Sequence, residues 1–552
     1  MQSLKKLRET LAAFGRDRRG NFAMMMAFSA VPLIGAVGLA IDYANMSRIH
    51  TELQNALDSA VLAVAQRGDN ISDTEARTIA ASFLTGNLAH SFTNMHVTRN
   101  GTSVTLTAEA PAPLSFGGIF GWNEANIAAS STADMAFAHY EIALVLDTTG
   151  SMRGGKLQAM KEAVITLIDD LSSRITDKER LKFALVPFAT FVNVGAQFGP
   201  DFDSKGKIIP GTGVDWLDLK GVSPIPQTEF LRGLSRFEIA HHLGQDWKGC
   251  VETRFSPSTS QSKHDVEDTP AVASDPYSLF VPAFAIDEPS GDWWYSYPNS
   301  YISSQAPALG TEPRDMEAKL KKYGLDNAAA EARKGKTNLI GLNVGPEGWS
   351  KVSISTYGGR GPSYGCDMDP ITPLSNDYAD LKSRVNALGA NGNTNIMEGV
   401  AWGMRVLSPQ EPFAQGKDYA SDVEKIIIVL TDGSNTFGVQ SSRNDFRSAY
   451  SSFGYLISDR LTTYRSNSAV TEEMNKKTLD VCENAKREDN GDPDDDVTIY
   501  TIRLEEPDVK TGMMLKDCAS GPGQFFDSPS RTELTKIFEQ IRDGITKLRL
   551  SF

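Results

Sequence analysis

The chain has 552 residues, 40% hydrophobic and 22% charged: a folding composition, too long for one ordinary core, so about two to four domains are expected. A formal net charge of −14 excludes nucleic acid as the main partner, because phosphate binding needs a basic face. Four cysteines (Cys250, Cys366, Cys482 and Cys518) include no C-x-x-C pair, which argues against a zinc knuckle or a thioredoxin-like site.

Residues 22–41 read "FAMMMAFSAVPLIGAVGLAI", 20 residues without a charge. As a helix rising ~1.5 Å per residue this stretch spans roughly 30 Å, the thickness of a bilayer core. Lys5, Lys6, Arg8, Arg16, Arg18 and Arg19 precede it, against only Glu9 and Asp17. Arg48 is the sole Lys or Arg between the run and Ala65. The positive-inside bias places residues 1–21 in the cytoplasm and everything after residue 42 outside it. A cleaved signal peptide, which would release a secreted adhesin, has a shorter apolar region and a small-residue cleavage site.

Beyond Asp42, apolar residues recur at steps of three and four: Met46, Ile49, Leu53, Leu57, Ala60 and Val64. Arg48, Glu52, Asn55 and Asp58 fall between them, so an amphipathic helix continues the apolar one. A helix over 73–86 follows. Alternation on either side of Asn100-Gly101 predicts a hairpin, and "NIAASSTADMAF" a further strand. Residues 42–138 thus read as a pilin-like α+β stalk. The segment "RRGNFAMMMAFSAVPLIGAVGLAIDYANMSRIHTELQNALDSAVLAVA" resembles the N-terminus of TadE/TadG-like pilus-assembly proteins, inner-membrane components of tight-adherence (Flp) pilus systems. True prepilins carry Glu at the fifth position after the cleaved Gly. Counted from Gly20 that position is Met25, which suits the TadG-like members that stay anchored.

"YEIALVLDTTGSM" has the length and β-branched content of a buried parallel strand running into a loop, with Asp147 at its carboxyl end. A helix with Leu157, Met160, Val164, Leu167, Ile168 and Leu171 on one face follows, then the strand "RLKFALVPFATFVNV". Strand, helix, strand opens an α/β sheet, whose ligands bind at the carboxyl ends of strands. The loop lacks the G-x-x-x-x-G-K-[ST] spacing of a phosphate loop and the G-x-S-x-G of a serine hydrolase. No histidine lies beyond His264, so the later α/β half offers no partner for a nucleophile. Carboxylate and hydroxyl oxygens suit a hard cation, Mg²⁺ first, with Mn²⁺ or Ca²⁺ as alternatives.

Two later features join this loop. "EKIIIVLTDGSNT" is a second apolar strand ending at Asp432, and "GANGNTNIMEGVAWGMRVL" places Thr394 in a Gly/Asn loop that opens a helix. Asp-x-Thr-x-Ser, then Thr, then Asp resembles the metal-ion-dependent adhesion site of von Willebrand factor type A (vWA) domains. The resemblance implies that Thr149 and Ser151 contact the metal directly and Thr394 directly or through water. Asp147 and Asp432 would act largely through waters. The plain alternative is that these residues cap strands and helices, with Asp432-Gly433 as a turn and Thr394 as an N-cap. The expected activity is recognition without turnover.

A helix around Cys482, a strand "VTIYTIRL", a short strand at Phe525-Phe526 and a closing helix over 535–548 complete a doubly wound parallel sheet. Residues 139–200 and 374–552 form its two parts, and 201–373, too long for a loop, reads as an inserted subdomain. Its aromatic stretch "DWWYSYPNSY" (292–301) is a partner surface or the insert's own small core. Cys482 and Cys518 sit on neighbouring elements, which favours Cys482–Cys518 and leaves Cys250–Cys366, although four cysteines allow three connectivities. The acidic run at 488–496 lacks the Gly and terminal Glu of a calcium loop and reads as a solvated connection. For an enzyme in the insert, Glu238, His241 and His242 form the one candidate cluster, and its E-x-x-H-H order is not that of a zinc protease. The sequence therefore points to a membrane-anchored, extracytoplasmic, non-enzymatic protein. It would bind pilus-assembly components or surface ligands through a divalent cation.

Overall fold

The computed structural model describes residues 19–67, 72–100, 103–134, 139–175, 177–257, 263–289, 299–302, 310–419, 423–440, 446–486 and 497–547. The basic N-terminal segment before Arg19, Gly101 of the predicted turn, most of the 292–301 aromatic stretch and the acidic run at 488–496 lie outside these residues. The chain divides into two compact units, Met1–Phe137 and Ala138–Phe552.

In the first unit, α1 (Arg19–Ala65) is a single 47-residue helix. Its apolar half carries Met25, Phe28, Val31, Ile34, Val37 and Ile41, all exposed, and is long and apolar enough to cross a membrane. In the other half Ile49, Leu53, Leu57, Ala60 and Val64 are fully buried. That one-sided burial is what a 3.6-residue period dictates once Arg48, Glu52 and Asp58 must stay wet. The next helix, α2 (Asp73–Asn87), is N-capped by Ser72, whose hydroxyl accepts the Glu75 N–H at 3.2 Å. It closes on α1 through Ala76, Ala80 and Leu84. Strands β1 (Thr93–Asn100), β2 (Ser103–Pro113) and β3 (Glu124–Asp134) form an antiparallel sheet in that order. Along β2 every second residue from Val104 to Ala112 is buried, in one cluster with the buried face of α1.

The second unit is built on a six-stranded sheet. Strand β4 (His139–Asp147) is followed by α3 (Gly155–Arg174) and β5 (Leu181–Phe188). After a long insertion carrying α4 (Arg236–His242), α5 (Pro313–Lys322) and α6 (Asp326–Arg333), the chain returns as β6 (Thr372–Ser375). Helices α7 (Tyr378–Ala387) and α8 (Ile396–Leu407), strand β7 (Val423–Thr431), helix α9 (Asn467–Lys486) and strand β8 (Thr498–Leu504) follow. Helix α10 (Val509–Cys518), strand β9 (Phe525–Ser528) and helix α11 (Leu534–Lys547) complete it. The strand order is β6-β5-β4-β7-β8-β9, parallel throughout except for the edge strand β6, which runs antiparallel to β5.

Strand β4 sits near the middle and is buried almost along its whole length. Ile142, Leu144 and Leu146 face one core with α3, α7 and α11, while Ala143 and Val145 face the other with α8, α9 and α10. A strand covered on both faces reads as a continuous apolar run, so its periodicity was hidden in the sequence. One buried ion pair links it to a neighbour. The Lys425 ammonium on β7 donates to Glu141 at 2.7 Å and to the carbonyls of Leu407 and Lys417 at 2.6 and 2.7 Å. All three of its protons are satisfied, which is what makes so deep a lysine tolerable.

The insertion does not stand apart from the sheet. Phe280 packs between Trp216 and Trp402 of α8, at centroid distances of 5.8 and 5.0 Å. A second cluster joins Phe230, Phe284 and Tyr323 of the insertion to Phe446, Tyr450 and Tyr455, which follow β7. Disulfides join Cys250 to Cys366 within this region and Cys482 of α9 to Cys518 of α10, closing loops of 116 and 36 residues. By chain entropy each is worth about 2–4 kcal/mol. Urea titration is therefore expected to show unfolding shifted to markedly lower denaturant when the bridges are reduced, and superimposable curves would refute that contribution.

Candidate metal centre

The five predicted residues converge at the carboxyl ends of β4 and β7. Asp147 ends β4 fully buried: one carboxylate oxygen accepts the Thr149 N–H at 2.8 Å, the other the Thr431 hydroxyl at 2.6 Å. These bonds turn the chain sharply and point Thr149 and Ser151 into the same space, their hydroxyls 3.0 Å apart. The Ser151 hydroxyl donates to Asp432 Oδ1 at 2.6 Å, and the Thr394 hydroxyl lies 3.4 Å from that of Thr149. Four oxygens from three loops, the first more than two hundred residues before the other two, thus form one connected row.

The loops are tied by backbone. Gly150 N–H donates to the Gly392 carbonyl at 3.1 Å, Asn391 N–H to the Thr148 carbonyl at 2.8 Å, and Thr436 N–H to the Thr394 carbonyl at 2.8 Å. Asn435 caps the arrangement from beneath, accepting the Ile396 N–H at 2.8 Å and donating to Asn475 and Thr478. Gly433 allows a close approach, since a Cβ there would stand 3.1 Å from the Thr394 hydroxyl and crowd it. Thr394 itself precedes the N-cap of α8; the capping side chain is Asn395, which accepts the Glu398 N–H at 3.3 Å.

Electrostatically the centre is acidic, and all of its oxygen-bearing residues but Ser151 are buried. Burial pushes the Asp147 carboxyl up to about 6; the Thr149 and Thr431 hydrogen bonds pull it down, and the Asp432 charge adds to the rise. One cation is at hand: the Lys156 ammonium, from the first turn of α3, lies 2.6 Å from Asp432 Oδ2. Two carboxylates against one lysine leave an excess negative charge, and every inward donor is a hard oxygen, so the residues fit a small divalent cation. Thr149, Ser151 and Thr394 offer hydroxyls for direct contact, with Asp147 and Asp432 behind them. Among the described residues no three His, Cys, Asp or Glu side chains cluster as a metal site of the usual kind, and this centre, with two acids, relies on hydroxyls instead.

Lys156, Thr431 and Asn435 were not singled out by sequence reasoning, and Gly433 only as part of a turn. Lys156 was visible only as the end of Gly154-Gly155-Lys156, a failed phosphate loop, and Thr431 as one more residue of an apolar strand. The rival cluster in the insertion disperses. His242 faces the Ser350 carbonyl at 2.9 Å, His241 stacks on Phe202 and faces Asp246, and Glu238 accepts the Ile208 N–H. A cleft of about 950 Å³ in this region is lined by Glu238, Lys207, Lys220 and Trp216, but by neither histidine.

A parallel sheet wound on both faces, with oxygen-bearing loops at its strand ends, defines the class: an α/β head of the vWA type joined to a helix-and-sheet stalk. Residues 141–209 match the von Willebrand factor type A domain, and residues 20–67 match the family described as putative Flp pilus-assembly TadE/G-like. No curated protein matches the chain. Similar solved structures include the pilus adhesin SpaC from Lactobacillus rhamnosus GG (9% identity, TM-score 0.32, 82% of this chain and 34% of that one). Others are the vWF domain of the type V pili tip protein Mfa5 from Porphyromonas gingivalis (10%, 0.30, 74% and 95%) and the PilB minor pilin from Streptococcus sanguinis (11%, 0.30, 83% and 79%). The chain spans about a third of the length of SpaC.

Proposed function

We propose that this chain is a membrane-anchored pilus-assembly or adhesion protein. Its extracytoplasmic head binds protein partners through a divalent cation, Mg²⁺ first, held by Thr149, Ser151 and Thr394 with Asp147 and Asp432 behind. The observation that carries this reading is the convergence of Thr149, Ser151, Thr394 and Asp432 from three separate loops into one row of hard oxygens, with Asp147 holding the first loop in place. A hard cation there with an open position can accept a carboxylate from a partner, which is recognition without turnover. The apolar half of α1, with basic residues before it, supports a single span with the N-terminus in the cytoplasm. Two disulfides in the head accord with an oxidising compartment beyond an inner membrane.

The test is crosslinking and co-purification of the full chain from membranes with and without chelator. A defined partner set should be recovered with Mg²⁺ present and lost with chelator, then restored by adding Mg²⁺ back. Partner recovery indifferent to chelator would sink cation-dependent binding. Alkaline extraction of the same membranes should leave the chain in the pellet; its release into the supernatant would remove the anchor.

A further inference from the structure

The connection between β2 and β3, residues 114–123, reads "LSFGGIFGWN" and contains no charge. It is a built turn. The Leu114 N–H bonds to the Asn123 carbonyl at 3.0 Å, a short 3₁₀ segment spans Gly117–Phe120, and Gly121 reverses the chain at φ 89°. Yet Ile119, Phe120 and Trp122 at its tip are 75, 66 and 69% exposed. Three adjacent large apolar side chains held out on an ordered turn are costly in water and mark a surface with an occupant.

The position of the turn along α1 identifies the occupant. Gln54 donates to the Ser130 carbonyl at 3.1 Å, and Ser130 pairs with Thr107 midway along β2. Nine residues earlier, Asn45 donates to the carbonyl of Pro113, the last residue of β2. One turn earlier again, Asp42 receives the backbone N–H groups of Ser115, Phe116 and Gly117, at 2.7, 3.0 and 2.8 Å. At Gly38, inside the apolar run, the Phe116 ring lies where a Cβ would be. The contacts thus descend α1 in order, and the turn sits at its apolar end. Asp42, the first charge after the run, is 4% exposed, its carboxylate wrapped by the turn's own donors.

We infer that this turn is a second membrane contact: Ile119, Phe120 and Trp122 insert into the outer interfacial layer of the bilayer that α1 crosses, and Asp42 latches the turn there. This rests on the reading of α1 as a membrane span. Trp at such a level is expected, because its ring is apolar and its N–H seeks the headgroup region. The consequence is that the stalk is held at two points and fixed in tilt and rotation, where a lone helix would leave it free to swivel.

The test uses the full chain in phosphatidylcholine vesicles. All four native cysteines are in disulfides, so a single introduced cysteine can carry an environment-sensitive fluorophore. Three variants are compared: Ile119→Cys, Val37→Cys within the span, and Thr98→Cys on β1. Quenching is measured with nitroxide-bearing lipid and with aqueous iodide. The label at 119 should be quenched several-fold more by the lipid than by iodide, as at 37, with the order reversed at 98. Replacing Asp42 by Ala should move 119 towards the pattern of 98 while leaving 37 unchanged. Iodide quenching at 119 with lipid quenching at 37 overturns the membrane contact and leaves the span standing. Iodide quenching at both positions overturns the span itself. Shielding of 119 from both quenchers overturns the inference in favour of a protein covering the turn.

Discussion

Replacing Asp147 and Thr149 together by alanine is expected to reduce Mg²⁺ affinity of the detergent-solubilised full chain by more than about 100-fold in calorimetry. Loss of a single supporting group at a metal typically costs 10–100-fold, and this variant removes one direct hydroxyl and one supporting carboxylate. The Asp147 carboxylate also holds the turn, since it accepts the Thr149 N–H and the Thr431 hydroxyl. Its removal therefore loosens Ser151 as well. A contrasting variant separates cation loss from misfolding. Lys156→Met removes the ammonium that lies 2.6 Å from Asp432, so a competitor for the same carboxylate disappears and affinity should rise several-fold. Unchanged affinity in the double variant would falsify the metal reading, and a fall in Lys156→Met would show that the lysine supports the cation.

The second large effect concerns stability. Glu252 is 1% exposed and receives Arg236 of α4 at 2.9 Å, Arg460 at 2.7 Å and the Tyr450 hydroxyl at 2.6 Å. Burial alone would push its carboxyl up, but the two guanidiniums and the phenol hold it below the usual carboxylate range. Glu252→Ala leaves two arginines desolvated and unpaired, so the head should lose about 3–5 kcal/mol of unfolding free energy. Exchanging the whole set for apolar residues of similar volume (Glu252→Leu, Arg236→Met and Arg460→Met with Tyr450→Phe) should recover most of that loss, because the penalty lies in the unpaired charge. Chemical denaturation of the two variants distinguishes these outcomes. A loss below about 1 kcal/mol in Glu252→Ala would mean that water reaches the arginines.

These two predictions differ in how far the sequence foretold them. The convergence of the five oxygen-bearing residues was legible because both acids end long apolar strands, and Thr394 sits in a Gly/Asn run before a strongly apolar helix. Such signals survive in one dimension. The Glu252 network was invisible, because Arg236 starts a short helix while Glu252, Tyr450 and Arg460 lie in irregular segments, and their only common feature is the space they fill. Lys156 was missed for a related reason: its pairing with Asp432 bridges 276 residues. The antiparallel edge strand β6 has four residues, too few for any period to appear, and α10 was hidden by its mixed sequence "VKTGMMLKDC". The sequence also set the insertion apart as a subdomain. That Trp216 and Phe280 pack into the sheet's own core is a contact no composition could reveal.

The place of β4 in the sheet has a mechanical meaning. The chain enters the six-stranded sheet at His139, the first residue of β4, and the proposed cation centre lies at the other end of the same strand. A tether at one end and a captured partner at the other would load β4 lengthwise. On one side it is laddered to β5 over eight residue pairs and on the other to β7 over eight more. Pulled along its axis, such a strand cannot unzip bond by bond; both ladders must shear together. Resistance to force is then set by the height of one unfolding barrier. Both neighbours would have to let go at once before β4 could leave the sheet.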